Sequence, residues 1–515
     1  MPQRLTPLEV SLLALDTSST PGQVGTVSVL EPLPGSGALG HADVAALVES
    51  RLPYVPRYRQ RVVSVPGRLA APVWVDDEDF DLDFHVRPVS LPRPGTDDQL
   101  RELVGQLLAR RLDRSRPLWE VHVVSGLDGD RVAVVEKAHL ALVDGGDTVD
   151  LAQVLLDADP EASEVGGAPA EWHPALEPGP TDLVVGALWE SAQDPVRAAD
   201  NLRGIVTEAL GIALAVGGVV AGTLGAGFGD LAGDVLRSGR PPAGSPLAGV
   251  VSRSRRFATL RVPLADLLAV RTAHAHTVND VLLAMITGGL RSWLLTRGDL
   301  GRARRTLRAL VPMSVEEDEA GTSSVGVRVV AHVHDLPVGE PNALVRLHQV
   351  AYSTQAHRDS GRAVDARTLT EIAGFAPATL HVLGVRAATE TVRRPHDVLI
   401  TNVPGPQLPL YAGGARLVET FPVVPLGAGH LLAIGVTSYD GGVYLGLTAD
   451  REAIDDLDVL VQCLDDALGE LLDTTDQTAR RPPTRPASPA ARRAAASKAA
   501  ARAEAARLRT EGRRS

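Results

Sequence analysis

The chain has 515 residues, with 51 Lys and Arg against 63 Asp and Glu, and a formal net charge of −12 at pH 7. Its 44% hydrophobic and 22% charged content is that of an ordinary globular protein, long enough for two domains with their own cores. The single cysteine, Cys463, excludes an intrachain disulfide. From Gln477 to Ser515 the chain holds 11 basic and two acidic residues, which leaves 40 basic and 61 acidic residues elsewhere. This acidic body argues against a nucleic-acid partner.

Strand and helix patterns alternate in the first part of the chain. The predicted elements are a strand at Val24–Leu30, a helix at His41–Leu52, an amphipathic helix that opens at Asp97, and a strand at Val121–Val124. Pro117, Leu118 and Trp119 form a rigid turn followed by a large indole, directly before the last of these strands. His85 is expected to be a structural side chain at a strand edge.

The stretch from residue 131 to 150, RVAVVEKAHLALVDGGDTVD, carries candidate catalytic side chains. Its first eight residues form a mostly apolar run rich in β-branched types, which predicts a buried strand. Gly145 and the next glycine break this strand, and a helix is predicted from Val149 to Asp157. A strand that runs into a glycine turn and a helix exposes side chains at a sheet edge. Here these side chains are His139 and Asp144.

The middle of the chain is expected to be a loop at residues 159–180, followed by helix at residues 181–236. Within the helical part, Ala209–Gly229 holds 21 residues without a charge. That length suits a membrane span, but Gly and Ala dominate it and no basic cluster flanks it. These features favour a helix that lies on a lipid surface or lines a lipid entrance.

A Pro-, Gly- and Arg-rich stretch at Arg237–Arg256 is expected to link two domains. Beyond it, strands are predicted at Phe257–Pro263, Leu307–Val315, Ser323–Val338, Asp397–Pro406, Leu431–Val436 and Val443–Ala449, and helices at Leu264–Ala275, His276–Trp293, Ala343–His357, Thr368–Leu383 and Ile454–Leu472. Asn279 and Asp280 fall at a helix start, where their side chains can cap the helix or orient toward a polar ligand.

Four motifs in this order resemble those of the wax ester synthase/diacylglycerol acyltransferase family, which belongs to the chloramphenicol-acetyltransferase-like superfamily. They are a partial HHxxxDG with His139, Asp144 and Gly145, the PLW turn, the Asn279-Asp280 pair, and the segment Asn402-Val403-Pro404-Gly405-Pro406. The resemblance covers roughly residues 5–472. It implies an α/β fold of two chloramphenicol-acetyltransferase-like domains, each a mixed β-sheet flanked by helices, with a channel between them.

The resemblance also implies a role for each HHxxxDG position. In that family the second histidine is the general base that takes the proton from an alcohol as the hydroxyl attacks an acyl thioester, and the aspartate and glycine hold the loop. Counting back from Asp144, the first histidine is His139 and Leu140 occupies the base position. Leucine cannot accept a proton, and loss of a general base costs about 10²–10⁴-fold in rate. Neighbours on an extended segment face opposite sides, so His139 could serve only after local rearrangement.

For the remaining motifs the resemblance implies a place along the channel. Pro117, Leu118 and Trp119 would shape the floor of the acyl channel, or form a packing corner without substrate contact. Asn279 would help to orient the reactants, or would cap its helix together with Asp280. The segment that contains Asn402, Pro404 and Gly405 is a close match to the family and is expected to be a channel or structural motif.

The first function implied is an acyl-CoA-dependent O-acyltransferase that forms triacylglycerol or wax ester from diacylglycerol or a long-chain alcohol. Acyl-CoA is then a co-substrate, and no cofactor or metal is expected. The second is a catalytically impaired member that binds lipid or acyl-CoA, because Leu140 occupies the base position. A condensation-type domain acting on carrier-bound substrates is a third interpretation, which the PLW and NVPGP segments disfavour.

The domain organisation predicted from these patterns has four parts. They are an N-terminal domain at residues 1–180, an apolar helical crossover and linker at 181–256, a C-terminal domain at 257–474, and a basic disordered tail at 475–515. The N-terminus lacks the apolar core of a secretory signal, which predicts a cytoplasmic protein. Contact with a membrane or lipid-inclusion surface is left open.

Overall fold

The computed structural model describes residues 2–142, 155–161, 172–193, 241–242, 244–301, 305–317, 326–358 and 395–480. Several predicted features lie outside these residues: Asp144 and Gly145, the uncharged segment Ala209–Gly229, the helix at Thr368–Leu383, and the tail beyond residue 480. Of the helix predicted at Val149–Asp157, only residues 155–157 are described. There Asp157 is not helical but forms an isolated antiparallel bridge with Tyr411.

Strands and helices alternate along the described chain. The strands are β1 Gln3–Arg4, β2 Gln23–Pro32, β3 Gln60–Val63, β4 Val73–Asp76, β5 Val86–Ser90, β6 Trp119–Ser125, β7 Val132–His139, β8 Arg255–Pro263, β9 Leu307–Glu317, β10 Gly326–Leu336, β11 Val398–Pro404, β12 Tyr411–Ala412, β13 Ala415–Val423, β14 Leu432–Tyr439 and β15 Gly442–Asp450. The helices are α1 Pro7–Leu15, α2 His41–Arg51, α3 Leu82–His85, α4 Asp97–Ala109, α5 Pro180–Gln193, α6 Leu264–His274, α7 Val278–Thr296, α8 Ala343–Arg358 and α9 Leu457–Arg480. The strands and helices predicted within the described residues are confirmed, apart from the helix that would end at Asp157.

Two six-stranded sheets dominate the fold. The N-terminal sheet has the order β12-β13-β2-β7-β6-β5, with β5 and β6 parallel and the other neighbours antiparallel. The C-terminal sheet has the order β10-β9-β11-β14-β15-β8, with β11 parallel to both β9 and β14. A small antiparallel sheet, β1-β4-β3, stands beside the first. The predicted α/β class with two mixed sheets is therefore confirmed.

Strand β13 joins the two halves of the chain. It follows the C-terminal strands β8 to β11 in sequence, yet it pairs antiparallel with β2, from Ala415 opposite Pro32 to Val423 opposite Gly25. Sequence analysis did not predict this strand. The residues of β13 alternate only weakly between buried and exposed positions, and a proline lies within the strand, so its sequence carries little strand signal.

Two glycines let the C-terminal sheet approach β13 closely. A Cβ atom at Gly446 would lie 2.0 Å from the carbonyl oxygen of Pro422, and one at Gly435 would lie 2.8 Å from the Pro422 Cβ. Contacts this short do not occur between real side chains and backbone, so any larger residue at either position would push the strands apart. The backbone of β13 therefore packs directly against β14 and β15.

Helix α4 shows how sequence pattern becomes packing. Thr96 accepts a hydrogen bond from the Gln99 N–H, and Gln99 accepts one from the Thr96 N–H, which forms a capping box at the helix start. Its buried residues recur at helical spacing: Leu100, Val104, Gly105, Leu107 and Leu108. Gly105 lies against the backbone of β8, so this N-terminal helix also contacts the C-terminal sheet.

Candidate active site

His139 is a buried residue at the end of β7, with 1% of its surface exposed. Its Nδ1 accepts a hydrogen bond from the Ala141 N–H at 3.0 Å, so the proton of the neutral ring resides on Nε2. Nε2 faces Asp16 Oδ2 at 3.7 Å. Burial lowers the pKa of His139 despite the nearby carboxylate, which keeps the ring neutral. In this arrangement neither nitrogen is available to accept a proton from a substrate.

Asp16 is held in place by two arginines. The Arg111 and Arg114 guanidiniums each donate to Asp16 Oδ2 at 2.9 Å, and both also donate to the Asp16 carbonyl oxygen. Burial alone would raise the pKa of Asp16, but the polar contacts from His139, Arg111 and Arg114 outweigh it and hold that pKa well below its usual range. The carboxylate is therefore ionised, and it fixes the orientation of the imidazole.

The segment that follows Asp16 is also bound from the C-terminal half. Arg255, a buried residue at the start of β8, donates a hydrogen bond to the Ser19 carbonyl oxygen. The same guanidinium donates to the Ser252 carbonyl at 2.9 Å and lies 3.9 Å from Asp450. The segment from Asp16 to Ser19 is therefore held at both ends, by side chains from both halves of the chain.

Leu140 faces different surroundings from its neighbour His139. Its N–H donates to the Gly22 carbonyl oxygen at 3.0 Å, which fixes its backbone beside β2. Its side chain is buried in an apolar cluster that also contains Val24, Ala141 and Leu426 and extends into the C-terminal sheet and helices. The position at which the resemblance places the general base thus holds a packed hydrocarbon side chain.

The PLW turn packs directly against the His139 backbone. The Leu118 carbonyl oxygen accepts a hydrogen bond from the His139 N–H at 2.9 Å. The Trp119 indole is fully buried, donates to the Tyr58 carbonyl oxygen at 2.7 Å, and stacks on the His85 ring with centroids 4.5 Å apart. Leu118 and Trp119 therefore support the backbone of His139 from the start of β6, the strand next to β7.

His85 is sealed beneath Trp119, and burial lowers its pKa to about 4. An unfolded histidine titrates near pH 6.5, so the unfolded state binds more protons between pH 6.5 and 4. The contribution of His85 to folding stability is therefore fully present above pH 6.5. It falls by about 3 kcal/mol in total as the pH drops from 6.5 to 4. We expect His85→Gln to reduce the loss of unfolding free energy between pH 7 and pH 4.5, measured by urea denaturation.

His173 provides the matched control for this experiment, because it is an exposed histidine in the described part of the chain. His173→Gln should leave the pH dependence of the unfolding free energy at the wild-type level. An equal slope in wild type and His85→Gln would contradict the assignment of this pH dependence to His85.

The ND pair and the NVPGP segment meet in the structure. The Asn402 side-chain amide donates to Asn279 Oδ1 at 2.9 Å. Asp280 accepts a hydrogen bond from the Thr277 N–H at 3.0 Å, which caps α7, and its other carboxylate oxygen accepts one from the Thr354 hydroxyl. Sequence analysis found both motifs and the capping role, but not their contact.

The second of these motifs ends where β11 meets β14. Pro404 pairs with Ser438 of β14, and the Gly405 N–H donates to the Ser438 hydroxyl at 3.2 Å. The structure therefore joins Asn279, Asp280, Asn402, Pro404 and Gly405 into one assembly at the start of α7. His139 and Leu140 belong to a separate group of contacts around Asp16 and Gly22.

A buried ion pair that sequence analysis missed lies beside His139. Lys137, with 2% of its surface exposed, places its ammonium 3.0 Å from Glu120 Oε2 and donates to the Arg110 carbonyl oxygen at 3.1 Å. His122 Nε2 lies 3.1 Å from the same carboxylate oxygen. One signal was available, because Lys137 and Lys498 are the only lysines in an arginine-rich chain. Within the described residues, no three His, Cys, Asp or Glu side chains are grouped so that they could hold a metal ion.

Comparison with solved structures defines the class of fold. The first condensation domain of the calcium-dependent antibiotic synthetase superposes with a TM-score of 0.51 and 14% identity, covering 93% of this chain and 97% of that one, which shows a shared fold. The wax ester synthase/diacylglycerol acyltransferase from Marinobacter aquaeolei VT8 superposes with a TM-score of 0.62 and 26% identity, covering 92% of this chain and 100% of that one. The chain thus has the two-sheet, chloramphenicol-acetyltransferase-like architecture that was predicted.

Sequence comparison identifies the family within this class. The wax ester synthase/diacylglycerol acyltransferase catalytic domain matches residues 5–282, and the C-terminal domain of the same family matches residues 325–472. The chain belongs to the wax ester synthase/diacylglycerol acyltransferase family. Among its relatives in Mycobacterium tuberculosis, the probable diacylglycerol O-acyltransferase tgs1 is 34% identical over 87% of this chain and 91% of its own length. The corresponding protein tgs2 is 30% identical over 90% and 98%.

Proposed function

We propose that the protein is an acyl-CoA-dependent O-acyltransferase that forms triacylglycerol or wax ester from diacylglycerol or a long-chain alcohol. The observation that carries this proposal is the match of both family domains, at residues 5–282 and 325–472. Relatives that are named diacylglycerol O-acyltransferases align with most of the chain. The assembly of the ND and NVPGP segments adds support, because family motifs distant in sequence converge on one contact.

The proposed reaction joins an alcohol oxygen to a thioester carbonyl. The alcohol oxygen bonds to the carbonyl carbon, the carbon–sulfur bond breaks, and CoA leaves as its thiol while the alcohol proton ends on sulfur. A thioester is already activated, so holding both reactants in line supplies much of the rate. With Leu140 at the base position, we infer that a bound water carries the proton from the alcohol toward the leaving thiolate.

The second candidate function is a lipid- or acyl-CoA-binding protein without turnover. The specific observation in its favour is that Leu140 is packed in an apolar cluster, while His139 Nδ1 accepts the Ala141 N–H and the protonated Nε2 lies buried 3.7 Å from Asp16. Among the described residues near Leu140, no other histidine side chain replaces these two residues as a proton acceptor. Retained motifs with no proton acceptor would fit a chain that binds but does not turn over its ligand.

Product formation from labelled acyl-CoA with diacylglycerol or a long-chain alcohol separates the two functions. We expect the wild-type protein to form labelled triacylglycerol or wax ester above the rate without protein. Absence of product from every alcohol tested, together with measurable acyl-CoA binding in calorimetry, would contradict the enzyme and support the binding protein.

We further propose that the protein contacts lipid surfaces peripherally, because diacylglycerol resides in bilayers and lipid inclusions. Helix α5 places Val185 and Trp189 one turn apart with 64% and 63% of their surfaces exposed, as on an interfacial helix. In the chain as described, no helix is both long and apolar enough for a bilayer span. We expect Trp189→Ser to weaken cosedimentation with phosphatidylcholine vesicles that contain diacylglycerol. Equal sedimentation of variant and wild type would exclude this contact.

A further inference from the structure

Five arginines surround the PLW turn on an otherwise acidic body. They are Arg87 on β5 and, on the segment between α4 and β6, Arg110, Arg111, Arg114 and Arg116. We call this set the arginine cluster. Outside the C-terminal tail the chain has 40 basic and 61 acidic residues, so a concentration of positive charge at one place requires a specific explanation.

Two members of the arginine cluster share a buried carboxylate, and the other three have no carboxylate to themselves among the described residues. Arg111 and Arg114 bind the Asp16 carboxylate that faces His139. Arg110 and Arg116 form no ion pair with any carboxylate of the described residues. Arg87 has a carboxylate oxygen of Glu120 within 3.7 Å, but that carboxylate is 3.0 Å from the Lys137 ammonium.

Phe84 holds two of these three guanidiniums in fixed positions. The Cζ atoms of Arg87 and Arg116 lie 4.3 Å and 4.1 Å from the Phe84 ring centroid, within the range of cation–π attraction. Arg87 Nε also donates to the Phe84 carbonyl oxygen at 2.6 Å. Both guanidiniums are therefore ordered against the Phe84 ring, and Arg87 is fixed further by its bond to the backbone. A site ordered in this way loses little entropy when an anion binds.

Arg110 shares this neighbourhood. Its side chain is exposed, while its carbonyl oxygen accepts hydrogen bonds from the Lys137 ammonium and the Gln23 amide, which anchors its backbone. Arg87 and Arg110 both contribute to the lowered pKa of Lys137, after burial as the main cause. Arg87 and Arg110 are therefore both close enough to act on the buried Lys137 ammonium.

Nearby carboxylates of the described residues do not form ion pairs with every member of the arginine cluster. Asp113 accepts hydrogen bonds from the Ser115 N–H at 2.9 Å and the Ser115 hydroxyl at 2.7 Å. Asp16 is buried and shared by two arginines, and the exposed Asp83 lies next to Phe84 in sequence. Glu120, which is shared with Lys137, lies 3.7 Å from Arg87, and Asp77 interacts electrostatically with Arg116, so five carboxylates face the five guanidiniums. None of these carboxylates forms an ion pair with Arg110 or Arg116, and a guanidinium without an ion pair favours a multiply charged anion over a neutral ligand.

The cluster is adjacent to the candidate site. Two residues after Arg116, the Leu118 carbonyl oxygen binds the His139 N–H at 2.9 Å. The segment from Arg116 to Leu118 thus has an arginine of the cluster at one end and a contact with His139 at the other. An anionic group held by the arginines would lie near the first end. A substrate with a charged head and a reactive thioester at the end of a flexible arm matches this arrangement.

We propose that Arg87 and Arg116 bind phosphate groups of coenzyme A when acyl-CoA occupies the protein. This inference rests on the proposed function, since it names where the phosphates of that substrate are held. Coenzyme A carries a diphosphate and a 3′-phosphate, and guanidinium groups bind phosphate through paired N–H donors. The phosphates stay at the protein surface while the pantetheine arm carries the thioester inward.

The test compares acyl-CoA with the matching acyl-pantetheine, which has the same thioester and lacks all three phosphates. We expect the double variant Arg87→Gln/Arg116→Gln to raise KM for acyl-CoA at least about tenfold, with kcat little changed, since losing a charge-assisted contact to phosphate weakens binding by about tenfold or more. KM for acyl-pantetheine should stay at the wild-type value. Arg271→Gln, an exposed arginine on α6, is the matched control and should change neither KM.

The outcomes separate this inference from the proposed function. If wild type turns over neither thioester, the proposed function fails. The role of the arginines is then tested by calorimetry, in which the double variant should bind coenzyme A more weakly than wild type. Unchanged KM for acyl-CoA, or an equal rise for acyl-pantetheine, would overturn the inference. A variant that keeps coenzyme A affinity but loses binding to phosphatidylglycerol vesicles would also overturn it, because the phosphate source would then be a lipid headgroup.

Discussion

Leu140→His is expected to raise the rate of product formation by about 10²–10⁴-fold over wild type, the usual contribution of a positioned general base. The backbone at this position is fixed by the hydrogen bond to Gly22, and the side chain faces away from the Asp16 cluster. An imidazole there would have no carboxylate or N–H partner that we describe, so one nitrogen could accept the alcohol proton. Initial rates with labelled acyl-CoA and either alcohol measure the effect.

Two variants serve as controls for this result. Leu140→Gln introduces a polar side chain of similar length without a basic nitrogen, and its rate should remain near that of wild type. His139→Ala should lose far less than 10²-fold, because Nδ1 of the buried ring accepts the Ala141 N–H and Nε2, which carries the proton, cannot accept one from the alcohol. No gain in a folded Leu140→His protein would show that base loss does not limit the rate. A collapse of activity in His139→Ala would show that His139 rearranges to become the base.

Lys137→Met is expected to lower the free energy of unfolding by about 3–5 kcal/mol, which is typical when one partner of a buried ion pair is removed. The variant leaves the Glu120 carboxylate buried beside His122 without its ammonium partner. It also deprives the Arg110 carbonyl of a donor at the end of α4. Urea denaturation at pH 7 measures the change in stability.

The double variant Glu120→Gln/Lys137→Met is the control for this mechanism. Removing both charges leaves no uncompensated ion, so the double variant should be more stable than Lys137→Met alone. Additive losses in the double variant would indicate that packing, and not the unpaired carboxylate, sets the stability. If Lys137→Met lowers the free energy of unfolding by less than about 1 kcal/mol, the ion pair contributes little to stability.

Local pattern predicted the elements of this fold well, because each signal lies within a short stretch of chain. The spacing of leucines after Asp97 predicted α4, and the β-branched run before His139 predicted β7. Strand β13 was not predicted because it is stabilised by pairing with the edge of β2, nearly 400 residues away in sequence. Pairing between such distant segments has no local signature.

The candidate site divides in the same way. Alternation along an extended chain predicted that His139 and Leu140 face different sides, and the motif order predicted which residues to compare. The contacts of His139 with Asp16 and the Ala141 N–H could not be predicted. Asp16 lies at the end of a helix distant in sequence and Ala141 lies in a turn, and no sequence pattern relates the two to His139. Contacts between Asn279 and Asn402 depend likewise on how α7 meets β11.

The tie between Arg255 and Ser19 has a consequence for motion. Asp16, three residues earlier, is clamped by Arg111 and Arg114 of the N-terminal half, whereas Arg255 leads into the C-terminal sheet. A hinge opening that separates the two sheets must therefore either break this tie or pull on the backbone beside His139. The backbone from Asp16 to Ser19 and the spacing between the sheets are mechanically linked, so any change in that spacing also moves the carboxylate that faces His139.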